Sequence, residues 1–231
     1  MLSQLARSVA FSFLGALLLS SQVFAEDATS IVMGAIDGLQ RVEIKNGDTS
    51  RQGQTGESIK AGDQVILPDN VTVTLWIPDG GTLVLGQKSR VVIVTSPYSP
   101  QLVNLQAGTV RGTFAKIQKK VDETSSGFRF ILRTPTAVLG VHGTDFVVSV
   151  NDDSQVVDFH SIEGTVEVAR TVESLVANDS VKLQSRETLQ STPEKIQKKH
   201  FYYVPQFLKD LEKTVPGLSK KQKLNAPGIQ Q

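Results

Sequence analysis

The chain has 231 residues, 24 of them basic and 23 acidic, and no cysteine. Disulfide scaffolds and thiolate metal sites are therefore excluded, and the fold must rest on an ordinary buried apolar core. After removal of a leader, about 200 residues suffice for one large domain or two small ones. The first 25 residues, MLSQLARSVAFSFLGALLLSSQVFA, carry one charge, Arg7, followed by an apolar run over 9–19 broken by Ser12 and Gly15. The stretch closes on Val23-Phe24-Ala25, which predicts a secretory signal peptide cut before Glu26. Its apolar core is short for a membrane span of about 20 residues. No cysteine follows it to take a lipid, so the mature chain is expected to be soluble and periplasmic or secreted.

From about residue 31 to 189 the chain is a succession of short β-type runs separated by Gly, Asp, Asn and Pro. Strands are predicted at 38–45, 63–67, 71–76, 82–85, 90–94, 101–105 and 109–114. Further runs follow at 128–134, 144–150, 155–161, 165–170 and 180–183. Val71-Thr72-Val73-Thr74-Leu75 alternates apolar with polar, as a half-buried strand does. "VSVNDDSQVV" reads as a hairpin turning on Asn151-Asp152-Asp153-Ser154. A glycine turn leading into an apolar residue recurs in "IKAGDQV", "IPDGGTL", "LQAGTV", "VHGTDF" and "IEGTV". Its spacing is too irregular for a fixed-period repeat. These features predict an all-β fold, either an irregular β-solenoid or a β-sandwich of many short strands.

The end of the chain differs. From 193 to 231 there are eight basic and three acidic residues, which leaves the 26–192 body acidic. In "VPQFLKDLEKTVPG", Val204, Phe207, Leu208, Leu211 and Val215 share one face at helical spacing, and Pro216-Gly217 stops the run. A short C-terminal amphipathic helix of about ten residues is expected there. The domain plan is thus a 1–25 leader, a 26–192 β-body and a 193–231 basic, aromatic tail. An acidic body with a basic tail is a binding-surface pattern more than a nucleic-acid one, and export also argues against nucleic acid as partner.

Catalytic signals are weak. His142, His160 and His200 show no metal-ligand spacing, and if strands 144–150 and 155–161 pair, His142 and His160 come within reach of each other without a third ligand. No G-x-S-x-G or S-x-x-K element occurs. The "NDDS" cluster lacks calcium-loop order, and Asp158 with Glu163 is an unremarkable carboxylate pair in an acidic body. No cofactor is expected. Phe201, Tyr202, Tyr203 and Phe207 stand among Lys195, Lys198, Lys199 and Lys209, a grouping suited to a protein or membrane surface. The same aromatics could instead cap the open end of the β-body. With Leu208 and Leu211 they form the candidate partner-binding set.

The stretch "FRFILRTPTAVLGVHGTDFVVSVNDDSQVVDFHSIEGTVEV" resembles the signature of the FecR domain. A strand leads into Thr134, Pro135 and Ala137, then Gly143, Thr144 and Phe146, then a strand pair ending in Glu163, Gly164 and Val166. The segments 58–93 and 103–112 resemble the family's upstream steps, so the likeness runs from about 31 to 189. Where the family commonly has arginine before G-T-x-F, this chain has His142. The resemblance implies a periplasmic all-β domain that binds proteins or ligands and has no catalytic centre. In the family's iron-transport regulators the domain senses an occupied outer-membrane receptor and acts on a sigma factor. Those members carry an anti-sigma segment and a membrane span, and the leader here makes this chain more like the free-standing exported members. The expected function is a non-enzymatic envelope binding or signalling module with an unidentified envelope protein as partner. The alternatives are an envelope structural protein that touches cell-wall polymer or outer membrane through the basic tail, and an undetected hydrolase.

Overall fold

The computed structural model describes residues 31–37, 41–77, 81–94, 101–116 and 127–199. The N-terminal half supplies β1 (Ile31–Asp37), β2 (Glu43–Asn46), β3 (Thr49–Gln52), β4 (Ser58–Ile59), β5 (Gln64–Ile66), β6 (Thr72–Ile77), β7 (Gly81–Leu85) and β8 (Arg90–Val94). A long central strand, β9 (Gln101–Phe114), precedes β10 (Phe130–Arg133), β11 (Val138–Val141), β12 (Asp145–Val150), β13 (Val157–Glu163) and β14 (Val166–Ala169). The short helix α1 (Val172–Val176), then β15 (Val181–Leu183), β16 (Thr188–Ser191) and β17 (Ile196–Lys199), complete the order.

These strands form two layers. Sheet A runs β17-β16-β13-β12-β9-β7-β6-β1-β4, and sheet B runs β15-β14-β11-β10-β9-β8-β5-β2-β3. Strand β9 belongs to both. Its first half pairs with β8 and β10, and its second half pairs with β7 and β12. The result is one large mixed sheet, not closed into a barrel, in which the β9–β10 pairing alone is parallel among the described strands.

The chain passes between layers in pairs of strands. In the C-terminal half, β10–β11 lie in sheet B, β12–β13 in A, β14–β15 in B and β16–β17 in A. The inward side chains of both layers meet in one core that includes Leu75, Leu83, Phe146 and Phe159 from sheet A and Ile44, Val91, Phe130 and Val168 from sheet B. Phe114 of sheet A stacks on Phe130 of sheet B at 4.8 Å between ring centroids. The all-β expectation holds, with sandwich-like layers.

Individual elements differ from the sequence reading. The 101–105 and 109–114 runs are one strand, because Gly108 at φ +87 lets β9 bend from one layer to the other without a turn. In place of the 38–45 run the structure has β1 before it and β2 at its end. Strands β3, β16 and β17 escape the hydrophobic pattern because TSRQ, TLQS and IQKK are largely polar, and pairing with a neighbour is what makes them strands. Strand β11 was hidden by Gly140, where an added methyl would strike Phe128 and Leu175. The β16–β17 hairpin carries 196–199 onto sheet A, beyond residue 192. The expected leader, the expected 204–217 helix and the aromatic residues of the tail lie outside the described residues.

Candidate interaction surface

The signature residues divide between two ends of the body. At one end, Thr134, Pro135, Thr136 and Ala137 close the β10–β11 hairpin. The Thr134 N–H and Oγ1 both donate to the Ala137 carbonyl, at 2.9 and 2.7 Å, and the Ala137 N–H donates to Thr134 Oγ1. Pro135 is exposed in this turn, where a missing N–H leaves nothing unpaired. Arg170 then donates to the Thr136 and Thr192 carbonyls, tying a turn of sheet B to a turn of sheet A.

At the other end, the chain changes layer at 142–144, 164–165 and 184–187. Gly143 sits against the backbone of Ala115 and Lys116, and Gly164 at φ +87 sits against Thr144 and the Gly143 carbonyl. A Cβ at either position would meet backbone, which is why these corners require glycine. The Gly164 N–H donates to Ser185 Oγ, and Ser161 Oγ donates to the Gly164 carbonyl, so successive corners stack. Thr144 Oγ1 is buried there without a hydrogen-bond partner among the described residues. Glu163 lies opposite Asp145 beside a bulge, and Phe146 and Val166 turn into the core.

His142 occupies the first of these corners. Its ring lies 4.5 Å from the Phe128 ring, Nδ1 is 2.7 Å from the Gly127 carbonyl, and Nε2 is 3.6 Å from Glu167. The position thus combines a carbonyl contact with a carboxylate contact, the two roles an arginine could fill there. Burial opposes ionisation of Glu167, but the Ser180 hydroxyl, Lys182 and His142 outweigh it and hold the carboxyl below its ordinary value. His160 serves elsewhere. It is buried on β13, its Nδ1 is 3.0 Å from Thr188 Oγ1, and burial lowers its pKa against the pull of Asp158.

Two ionic clusters were not anticipated from sequence. Arg111 grips Asp145 in a fork across β9 and β12, at 3.0 and 2.7 Å, with the arginine 6% exposed. Asp63 accepts from Arg51, Asn46 and the Lys60 N–H; burial opposes its charge, and these donors together lower its pKa. Arg51 also binds Glu57 at 2.6 Å beside a polar cleft of about 470 Å³ lined by the β3–β4 loop. The "GD" of 62–63 was the one visible trace of that cluster. Fork partners across strands carry no local spacing.

Chemically, these charged groups are engaged in holding strands and corners together. Among the described residues no three or more His, Asp or Glu side chains form a group able to hold a metal ion. Asp158 accepts from Gln190. Among the described residues, Val176 and Val181 are the large apolar side chains left exposed, at 51% and 36%.

Comparison with known proteins follows the same stretch. No curated protein matches the chain. Two crystal structures, at 1.65 and 2.50 Å resolution, are of a candidate anti-sigma factor from Parabacteroides distasonis ATCC 8503. Each is 20% identical with a TM-score of 0.46, covering 59% of this chain and 58% of the other, so the chain spans less than two thirds of those proteins. The family described as FecR protein matches from Asp63 to Glu167, which takes in the β5–β13 body, both signature turns and the Arg111–Asp145 fork. The FecR-domain match thus spans residues 63–167 of this chain.

Proposed function

We propose that this protein is an exported, non-enzymatic regulatory module that acts by protein–protein contact in the cell envelope. The observation that carries the reading is the FecR-domain match at 63–167. The leader-like residues 1–25 support export, and the basic aromatic tail, with Phe201, Tyr202, Tyr203, Phe207, Leu208 and Leu211, is the element that reaches a partner. The β-body serves as a rigid carrier: Arg51 with Asp63 and Arg111 with Asp145 are committed to internal pairs, and its corners are locked by glycine contacts.

The test is an in-cell crosslinking capture from the envelope fraction, comparing the natural chain with a variant in which Phe201, Tyr202 and Tyr203 are serine. One envelope protein captured in near-stoichiometric yield by the natural chain and lost from the variant is the expected result. Capture of cell-wall or lipid material alone, fading with salt, would replace this reading with a structural role. Recovery of the chain in the cytoplasm with residues 1–25 intact would remove the export claim.

A further inference from the structure

We propose that the outward face of sheet A is the docking surface for the chain's own aromatic segment, residues 201–211. Side chains on a strand alternate between faces, so with Phe146, Val148 and Val150 in the core, Val147 points outward. The strand registers extend its position into a continuous row across six strands: Thr74, Val84, Arg111, Val147, His160 and Thr188. An outer row of a two-layered β-body ordinarily faces water. Here every member is buried, from 0% exposed at Val147 and 4% at Val84 to 9% at Thr74. Val84 and Val147 belong to neither apolar cluster of the body. The cover is local, because Thr113, one step further along the same face of β9, is exposed.

Sheet B shows what such a face needs. Its outward Leu102, Ile131, Val138 and Ala169 are buried under Phe128 and Leu175, the latter from α1. That helix contacts β11 and β14 of sheet B, and it is the one helix among the described residues. Sheet A therefore requires a different cover.

The register identifies the occupant. Lys199, the last residue of β17, pairs with Thr188 and so stands at the end of the same row. The chain continues from that point into the segment that begins at residue 200. From β17 to β7 is five strand spacings, about 24 Å. Twelve residues from 200 to 211 span about 18 Å as a helix and up to about 40 Å extended. With 200–203 extended, about 13 Å, and 204–211 helical, about 12 Å, the segment is long enough to lie along the row, and its aromatic and leucine side chains match the apolar pair Val84 and Val147. The docking rests on the geometry of the sheet. Its regulatory meaning rests on the binding role proposed above, since aromatics held on the sheet must be released before a partner can take them.

A cysteine-free chain makes the test direct. Ser149→Cys puts a single thiol on the outward face of β12, next to the row. Its alkylation by a maleimide is timed in the mature chain, with and without alanine at Phe201, Tyr202, Tyr203 and Phe207. Acceleration on the order of tenfold on removing the aromatics is expected, independent of protein concentration. A Lys182→Cys thiol on β15 of sheet B should react at the same rate in both backgrounds. Equal rates at Ser149→Cys would overturn the proposal. So would protection that grows with concentration, which would assign the face to a second copy. Faster reaction at Lys182→Cys as well would mean general loosening and would count against it too. None of these outcomes depends on an envelope partner, so failure here is distinct from failure of the capture experiment.

Discussion

At Gly112 a methyl group would run into the Phe146 ring, which lies directly across from it between β9 and β12. Gly81 stands in the same relation to Phe114, and Phe128, just before β10, also lies over Gly140, whose cross-strand partner is Ile131. A ring laid over a glycine fills the space that the missing side chain would leave. Gly112→Ala should therefore destabilise the fold by about 1–3 kcal/mol through overpacking. Urea denaturation should show Phe146→Leu restoring part of the loss, and strict additivity of the two changes would refute the pairing. Titratable residues act at the same scale. Burial depresses His160 below its ordinary 6.5, so the unfolded chain binds that proton more readily and stability declines as pH falls through and below 6.5. Glu167 is depressed below 4.5 in spite of its burial; its stabilisation is complete above 4.5 and is lost as pH falls through the folded value. Stability measured against pH should fall in two stages. His160→Gln should remove the first, and Glu167→Gln should flatten the second, where Asp63 also contributes.

Among the elements, α1 shows how a short helix can matter. Five residues cannot hold a helix in isolation. Thr171 caps it by accepting from the Ser174 N–H, and Leu175, fully buried, anchors it on the outer face of sheet B. Leu175→Ala should cost about 2–5 kcal/mol, the range for truncating a buried leucine. Thermal melts would check this, and a loss no larger than that of Val176→Ala, whose side chain is 51% exposed, would mean the helix is not the cover of that face. Legibility from sequence also varied by element. The alternation of Val71 to Leu75 and the turn residues 151–154 announced β6 and the β12–β13 hairpin, because their signals are local. Strands β3 and β17 carry no such signal, since TSRQ and IQKK are largely polar and become strands by hairpin pairing with the strand just before each.

For the whole molecule, β9 decides the mechanics. Through it the layers share one strand as well as one core, and neither half of the chain completes a layer alone. Equilibrium unfolding should thus be a single transition, with Trp76 fluorescence and far-ultraviolet circular dichroism coinciding. Separate midpoints would mean that the halves unfold independently. Folding should be slow for the chain's size, because pairings such as β1 with β6 and β13 with β16 join distant segments.

Composition, alternation and turn chemistry were enough to establish an all-β body, and the order of the motifs from Thr134 to Val166 was enough for the FecR resemblance. Each of these depends on neighbours within a few residues. The close backbone contacts of Gly143 and Gly164, the Arg111–Asp145 fork, the Glu167 contacts of His142 and the buried outward row through Val147 emerged only with the fold. They depend on register, and register is settled when the layers close over a common core, bringing together side chains that no local spacing relates.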